Sequence, residues 1–385
     1  MTAEVVRRAH VANATLSPSE LSRAVARPLP IDRAERLIEE MLEVDQAVLF
    51  ASARGALAAA VGVLARKGTV ALPAYTCVAV ANAIRSGDAT PIYVDVDQRG
   101  LVPVDRWPDA DLVLVQDTYG FVSEPPAGRR VVRDCAHRVD LVQTRGCLCR
   151  ITSFEHSKWL TSGQGGLAVT EDADLARAMR QLRDQRTEPS ETIKHAGVTL
   201  ATLVAGRLQF QGRSRPAYWV RRVPEAFAPD RLRGQSRTEL NGEGVAPPLL
   251  GRPNRVVARL IVSQLRQLQA VSESRSQVVA LYDRIAGMHR DAVPLVRYPL
   301  LVGDPHAVES RFVKGGWDVS GRWFNAPLHP VGANAERLGF NPGSAPQAER
   351  LAASVINLPT HPLVSEKDAT RLIELALEVE ALPVA

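Results

Sequence analysis

The stretch RITSFEHSKWLTSGQGGLAVT, residues 150–170, holds two apolar, β-rich runs, RITSF at 150–154 and GLAVT at 166–170, around a loop that carries Lys158. Runs this continuous fit strands covered on both faces. Toward the N-terminus the same kind of run recurs as TVALP (69–73), PIYVDV (91–96), DLVLVQ (111–116) and RVVRD (130–134). Between the first two, Val78, Ala79, Ala81, Ile84 and Arg85 have helical character that stops at Gly87, which gives a strand, helix, strand unit. The expected fold is α/β with a largely parallel sheet.

Leu57, Ala60, Val61 and Leu64 recur with helical spacing after the small residues Ala51 to Gly55, so a helix starts there. Beyond Thr170 the pattern stays helical to about Arg186. From about Glu191 to Arg252 it reads as irregular and Arg-rich, with Tyr218, Trp219, Arg221 and Arg222, then PEAFAPD, and it ends in the connector NGEGVAPPLLGRP. This is read as an insertion, and the domain boundary is placed at its end: a large domain over 1–250 and a smaller one over 251–385. Helical spacing returns at Val256, Val257, Leu260, Ile261, Leu265 and Leu268 and continues through Val278, Val279, Tyr282 and Ile285, as a long or broken helix. The remainder mixes short strands (VPLVRYPLLV) with a closing helix (DATRLIELALEVEAL), as a small α+β domain does.

A chain of 385 residues with 45% hydrophobic and 23% charged residues can bury a full core and is long for one domain. The opening MTAEVVRRAHVANATLSPSE has no apolar signal-like segment, and no apolar run reaches the roughly 20 residues that span a bilayer. Cys77, Cys135, Cys147 and Cys149 are too few for a disulfide framework, and Cys147 and Cys149 lack a second ligand pair, so no metal is expected. The expectation is reduced thiols in the cytoplasm. The net charge of +5 is spread along the chain without a nucleic-acid module, so nucleic acid is not an expected partner. The same excess suits a phosphorylated ligand.

Lys158 lies on a loop at strand ends, the place where open α/β sheets bind ligands. A lone lysine is ordinarily a solvated surface charge. Here Thr161, Ser162, Gly163, Gln164, Gly165 and Gly166 follow it, a segment that lets backbone approach a ligand closely. A partly desolvated lysine near other cations loses its proton readily and can attack an aldehyde. Asp134 ends the run Val131, Val132 and can pair with a protonated pyridine nitrogen, although a turn or cap role is the plainer one. His137, three residues on, can hydrogen-bond a phenolic oxygen or be a satisfied structural histidine. Ser52, Ala53 and Arg54 precede a helix whose free N–H groups suit phosphate, with Arg54 adding charge. Ser153 offers another hydroxyl, and both serines serve equally as caps.

In this order the motifs resemble the DegT/DnrJ sugar aminotransferases, fold type I enzymes that use pyridoxal phosphate (PLP). ASARGAL resembles the family's phosphate-binding turn, LPAYTCVAVANAIRSGDATPIYVDVD its strand, helix, strand stretch, and RDCAH its acidic motif. SFEHSKWLTSGQGGLAVTED resembles the lysine motif almost position for position. RPNRVVARLIVSQLRQL and VINLPTHPLVSEKDATRLI resemble the later family stretches.

The resemblance implies a large domain with a mostly parallel mixed sheet flanked by helices, and a smaller C-terminal α+β domain. It also implies that Lys158 is the Schiff-base lysine, Asp134 the pyridinium partner, and His137 the bond to the phenolic oxygen where the family usually has glutamine. Ser52, Ser153 and the backbone at Ala53 and Arg54 would hold the phosphate, and Asn254 would reach the phosphate of a neighbouring subunit in a homodimer. His306, Arg322, Trp323, Asn325 and His329 are the expected substrate contacts from the C-terminal part.

Three departures stand out: Ala53 and Arg54 replace the usual Gly-Thr, Cys77 replaces an aromatic ring over the cofactor, and the 191–252 stretch is long. Family members that have become dehydratases replace the lysine, so Lys158 argues for amino transfer. The implied reaction takes an amino group from an amino acid, L-glutamate in the family, to a keto-sugar, most often nucleotide-linked. A cyclitol or other non-nucleotide ketone is an alternative acceptor, and a PLP-binding regulator an alternative role. Membrane contact through the Tyr218 to Arg222 region is the lesser expectation there, because its apolar and basic residues lack a sustained amphipathic period; a subunit interface or active-site flap is preferred.

Overall fold

The computed structural model describes residues 6–139, 146–186, 192–227, 235–291 and 293–384. A seven-stranded sheet is built from β1 (Gln46–Phe50), β2 (Thr69–Pro73), β3 (Thr90–Val94), β4 (Leu112–Gln116), β5 (Val131–Asp134), β6 (Cys149–Ser153) and β7 (Gly166–Thr170). Their spatial order is β1, β7, β6, β5, β4, β2, β3. All neighbours run parallel except β7, which is antiparallel to both β1 and β6. Six of these strands match the runs expected from sequence to within a few residues. Gln46–Phe50 was not anticipated.

Alternate residues feed two cores. Val48 and Phe50 of β1 and Ala168 of β7 pack on one face with α3 (Ala53–Leu64), α4 (Val78–Ser86) and α5 (Ala173–Asp184). Ala47, Leu49, Leu167 and Val169 pack on the other face with α2 (Ile31–Leu42) and with the helix Arg255–Leu265. Burial on both faces explains why these strands read as continuous apolar runs. One charged cluster is built into this layer. Glu35 of α2, 4% exposed, accepts from Arg183 at 2.6 Å, from Arg180 at 3.0 Å and from the Leu49 amide at 2.9 Å.

The stretch read as irregular is largely helical. It forms α6 (Thr192–Phe210) and α7 (Ser214–Phe227), a hairpin; residues 191 and 228–234 lie outside the described residues. Its inward face is His195, Val198, Thr199, Thr202, Ala205, Gly206 and Gln209, a helical repeat written in small and polar residues that an apolar search passes over. Tyr218 and Trp219 on α7 are exposed and meet edge to face.

The long helical stretch near 256–285 is broken, as Arg255–Leu265 and Leu268–Ile285. Beyond it a three-stranded antiparallel sheet places Arg297–Leu301 between Val355–Pro359 and Leu382–Pro383. The helix Glu366–Leu377 closes the chain's last third. Two short parallel pairings tie distant segments together: Arg7–Arg8 with Trp317–Asp318, and Thr76–Cys77 with Leu328–His329. No helix among the described residues is long and apolar enough to cross a membrane.

Candidate active site

Gln116, Asp134 and Ser153, the C-terminal residues of β4, β5 and β6, open onto a cavity of about 690 Å³ that also meets the start of α3 and the Lys158 loop. Parallel strands leave their sites at this edge. Two segments from far along the chain close the opposite side, Trp323–Phe324 and His329.

Lys158 is reached through a tight turn in which its amide donates to the Glu155 carbonyl at 3.1 Å. Its Nζ lies 4.6 Å from the Trp323 ring centroid. Burial holds its pKa below the usual lysine range, against the opposing pull of Glu155, Cys77 and Asp134. Asp134 uses one oxygen to accept from the Ala136 amide at 2.8 Å. Burial pushes its carboxyl up to about 6, while that hydrogen bond and Lys158 pull the other way.

His137 takes its place through a backbone contact. Its Nδ1 accepts from the Tyr119 amide at 3.1 Å, so the neutral ring carries its proton on Nε2. Burial, with Lys158 and Arg297 nearby, keeps this imidazole well below the ordinary histidine range. The ring stacks on Trp323, 4.9 Å between centroids at 23°.

Ser52 caps α3 by accepting from the Gly55 amide at 3.1 Å and donates to the Leu249 carbonyl at 2.8 Å, so its hydroxyl is committed to structure. The amides of Ala53 and Arg54 stand at the first turn of α3, on the cavity. The glycines of the TSGQGG loop make this approach possible. A Cβ on Gly166 would come 2.3 Å from both the Ala53 nitrogen and the Ser52 carbonyl carbon, and Gly165 has φ +124°. Ser153 lines the cavity. Cys77 also lines it, caps α4, and accepts at Sγ from the Gln235 amide at 3.3 Å.

Several expected contacts are engaged with other residues or lie off the cavity. The Arg54 guanidinium is held by fully buried Glu239, 2.7 Å to each oxygen, so its charge is already balanced. The His306 side chain is 83% exposed, beside Glu309, on a helix none of whose residues lines the cavity. Arg322 pairs with that same Glu309 at 3.1 Å and does not line the cavity. Asn325 does not line it either; its Oδ1 holds the His329 Nδ1 at 2.9 Å and so orients that ring. His329 does line it, and burial pushes its pKa down to about 3. Within one chain Asn254 caps the Arg255–Leu265 helix through Oδ1, and its buried Nδ2 has no partner.

Other lining groups were not anticipated: Glu155, Arg275, Arg297 and the inner face of α6, with Tyr119 behind His137. Tyr119 follows β4 by three residues, and position after a parallel strand is a signal for it. Arg297 interrupts the apolar strand VPLVRYPLLV, and a charge inside such a run is a second signal.

Residues 29–105 and 128–202 match the sequence model of the DegT/DnrJ/EryC1/StrS aminotransferase family. The L-glutamine:2-deoxy-scyllo-inosose aminotransferase of Streptoalloteichus tenebrarius is 36% identical over 141 residues, 31% of this chain and 33% of that protein. The UDP-N-acetyl-3-dehydro-alpha-D-glucosamine 3-aminotransferase of Acidithiobacillus ferrooxidans is 29% identical over 135 residues, 30% of this chain and 37% of that protein. The matched region thus spans about a third of these curated relatives. Among solved structures, S. venezuelae DesV in complex with a ketimine intermediate superposes with TM-score 0.66 at 20% identity, over 94% of this chain and 93% of that one. This likeness shows a shared fold. Family members use PLP. Over residues 29–105 and 128–202 the chain is similar to the DegT/DnrJ/EryC1/StrS aminotransferase family.

Proposed function

We propose that this chain is a PLP-dependent aminotransferase that moves an amino group from an amino acid, L-glutamate foremost, to a keto-sugar, nucleotide-linked in the leading reading. The observation that carries this is one cavity holding half-buried Lys158, the Asp134 carboxyl and the N-terminus of α3 together. These groups fit the cofactor. The raised Asp134 pKa marks a carboxylate short of a cation, which a protonated ring nitrogen supplies. The first turn of α3 and the Ser153 hydroxyl, both on the cavity, suit its phosphate.

Bound PLP would supply an aldehyde for amines and a ring that accepts an electron pair. Lys158 would hold that aldehyde between turnovers, and once displaced its amine would carry the proton between substrate carbon and cofactor. The lowered Lys158 pKa suits both tasks. Asp134 would keep the ring nitrogen protonated, His137 would donate from Nε2 to the phenolic oxygen, and Trp323 would shield the amine from water. The unpartnered Asn254 amide supports the reading that a second subunit completes the site, as a homodimer.

A cyclitol ketone is the second acceptor reading, supported by the likeness to the scyllo-inosose aminotransferase, whose name gives L-glutamine as its donor. Borohydride reduction of the PLP-loaded protein should fix the cofactor on the peptide containing Lys158. Glutamate and glutamine half-reactions, followed by nucleotide-linked, free-sugar and cyclitol ketones, then rank donor and acceptor. A protein that forms no pyridoxamine state with any donor is a regulator or accessory protein and not this enzyme.

A further inference from the structure

The Lys158 loop carries an acid that the proposed function leaves unused. Glu155 stands three residues before Lys158, and both line the cavity. The turn between them is fixed in two ways: the Lys158 amide donates to the Glu155 carbonyl at 3.1 Å, and Glu155 pairs with Gly163 in an isolated parallel bridge. The carboxylate is fixed as well. Its Oε2 accepts from the Ser157 hydroxyl at 2.8 Å and from the Ser157 amide at 3.4 Å, while Oε1 lies 3.6 Å from the His156 Nε2. Burial pushes this carboxyl up, but His156, Lys158, the Ser157 bond and Arg54 outweigh it and leave Glu155 below the ordinary glutamate range, so it is ionised.

A lysine that carries a proton during turnover must take it up and give it back, so its charged form has to be of tolerable energy. Burial works against that charge at Lys158, and the Arg297 guanidinium adds to the penalty. His137 and His329, held neutral by burial, contribute no charge. An anion is therefore needed, and among the described residues three carboxylates line the cavity: Asp134, Glu155 and Glu239. Glu239 meets Arg54 with both oxygens at 2.7 Å. Asp134 is reserved for the ring nitrogen of the cofactor. Burial raises the Cys77 thiol and so keeps it protonated. Glu155 is what remains, on the same turn as the amine. We infer that Glu155 is the positioning residue for the Lys158 proton, the fixed anion that stabilises the ammonium form whenever that amine is free. This deepens the aminotransferase reading and rests on it. Without Glu155 the amine could still attack an aldehyde but would be a poor proton carrier.

The test begins on cofactor-free protein, as wild type, Glu155→Gln and Glu155→Asp. Competitive acetylation with acetic anhydride across pH, read by peptide mass mapping, titrates Lys158 without any turnover. Glu155→Gln can still accept from Ser157 and removes only the charge. The Lys158 pKa should therefore fall by about one unit or more, and its acetylation where the wild type is mostly protonated should rise about 10-fold. Glu155→Asp should lie between the two. In the PLP-loaded proteins the acidic limb of the donor half-reaction should move to lower pH by a similar amount. A Lys158 titration identical in wild type and Glu155→Gln overturns the inference. So do equal shifts in Glu155→Gln and Glu155→Asp, which would make the effect one of loop shape and not of charge. A Glu155→Gln shift in a protein that forms no pyridoxamine state with any donor upholds the pairing and overturns the aminotransferase reading instead.

Discussion

The Nδ1 of His137 accepts the backbone N–H of Tyr119, and that one contact fixes which ring nitrogen faces the cavity with a proton. A glutamine side chain can reproduce both halves, accepting through its oxygen and donating through its amide. His137→Gln should therefore keep turnover within about 10-fold of wild type, while His137→Leu should lose about 100-fold or more. Steady-state rates of the two variants decide it; equal losses would show that the proton on Nε2 is idle.

Lys158→Ala should fold and keep cofactor without a covalent link, since the α3 amides and Asp134 are untouched. Its half-reaction should slow by about 100- to 10,000-fold, the range of a lost positioned acid–base group. Stopped-flow spectra with an amino donor measure this. A variant within a few-fold of wild type would remove Lys158 from the chemistry.

Asp134 should write a pH signature into the cofactor-free protein. Burial lifts its folded-state pKa from 3.8 to about 6, so between those values the folded chain keeps a proton that the unfolded chain has released. Its contribution is most favourable below the unfolded value and is lost as pH rises through the folded one. The loss is on the order of 3 kcal/mol. Urea melts of apo wild type and Asp134→Asn at pH values either side of this window should show the wild type losing ground to the variant as pH rises. Parallel curves would mean that the carboxyl is not desolvated.

Gly166→Ala tests the packing of β7 on the start of α3. The new methyl would meet backbone at 2.3 Å, where no side chain can swing aside. We expect either insoluble protein or a large fall in Tm with PLP affinity reduced. Normal melting and normal cofactor binding would show that the two segments are not held so closely.

Glu35→Ala strips Arg183, itself 2% exposed, of the deeper of its two acids, leaving Asp184 at 2.8 Å. A stability loss of about 3 kcal/mol is expected, because a buried cation is left without its main partner. Denaturant unfolding gives the value, and a loss below about 1 kcal/mol would place the cluster in solvent.

The sheet was legible because burial on both faces writes strands as unbroken apolar runs, and RITSF and GLAVT flank the loop that meets the cavity. Gln46–Phe50 went unread because its apolar residues run without a turn signal into the small-residue stretch that opens α3. The α6 helix was lost for the opposite reason. A face that lines a cavity has no cause to be greasy, so His195, Thr199, Thr202 and Gly206 carry its repeat in polar or small residues. Near the C-terminus, residue type alone misled: His306 and Arg322 have suitable chemistry but are drawn to Glu309, while Trp323, one position along, turns inward. Neighbouring positions on an irregular loop share no periodicity, so only the folded backbone separates them.

The short pairing of Thr76–Cys77 with Leu328–His329 stitches the cavity shut with a segment that leaves the ribosome about 250 residues after its partner. A nascent chain can complete its seven-stranded sheet long before it owns the wall opposite Lys158. Vitamin capture is thereby deferred until that segment has emerged, and stalled chains ending before Trp323 should take up far less PLP than chains that extend past His329.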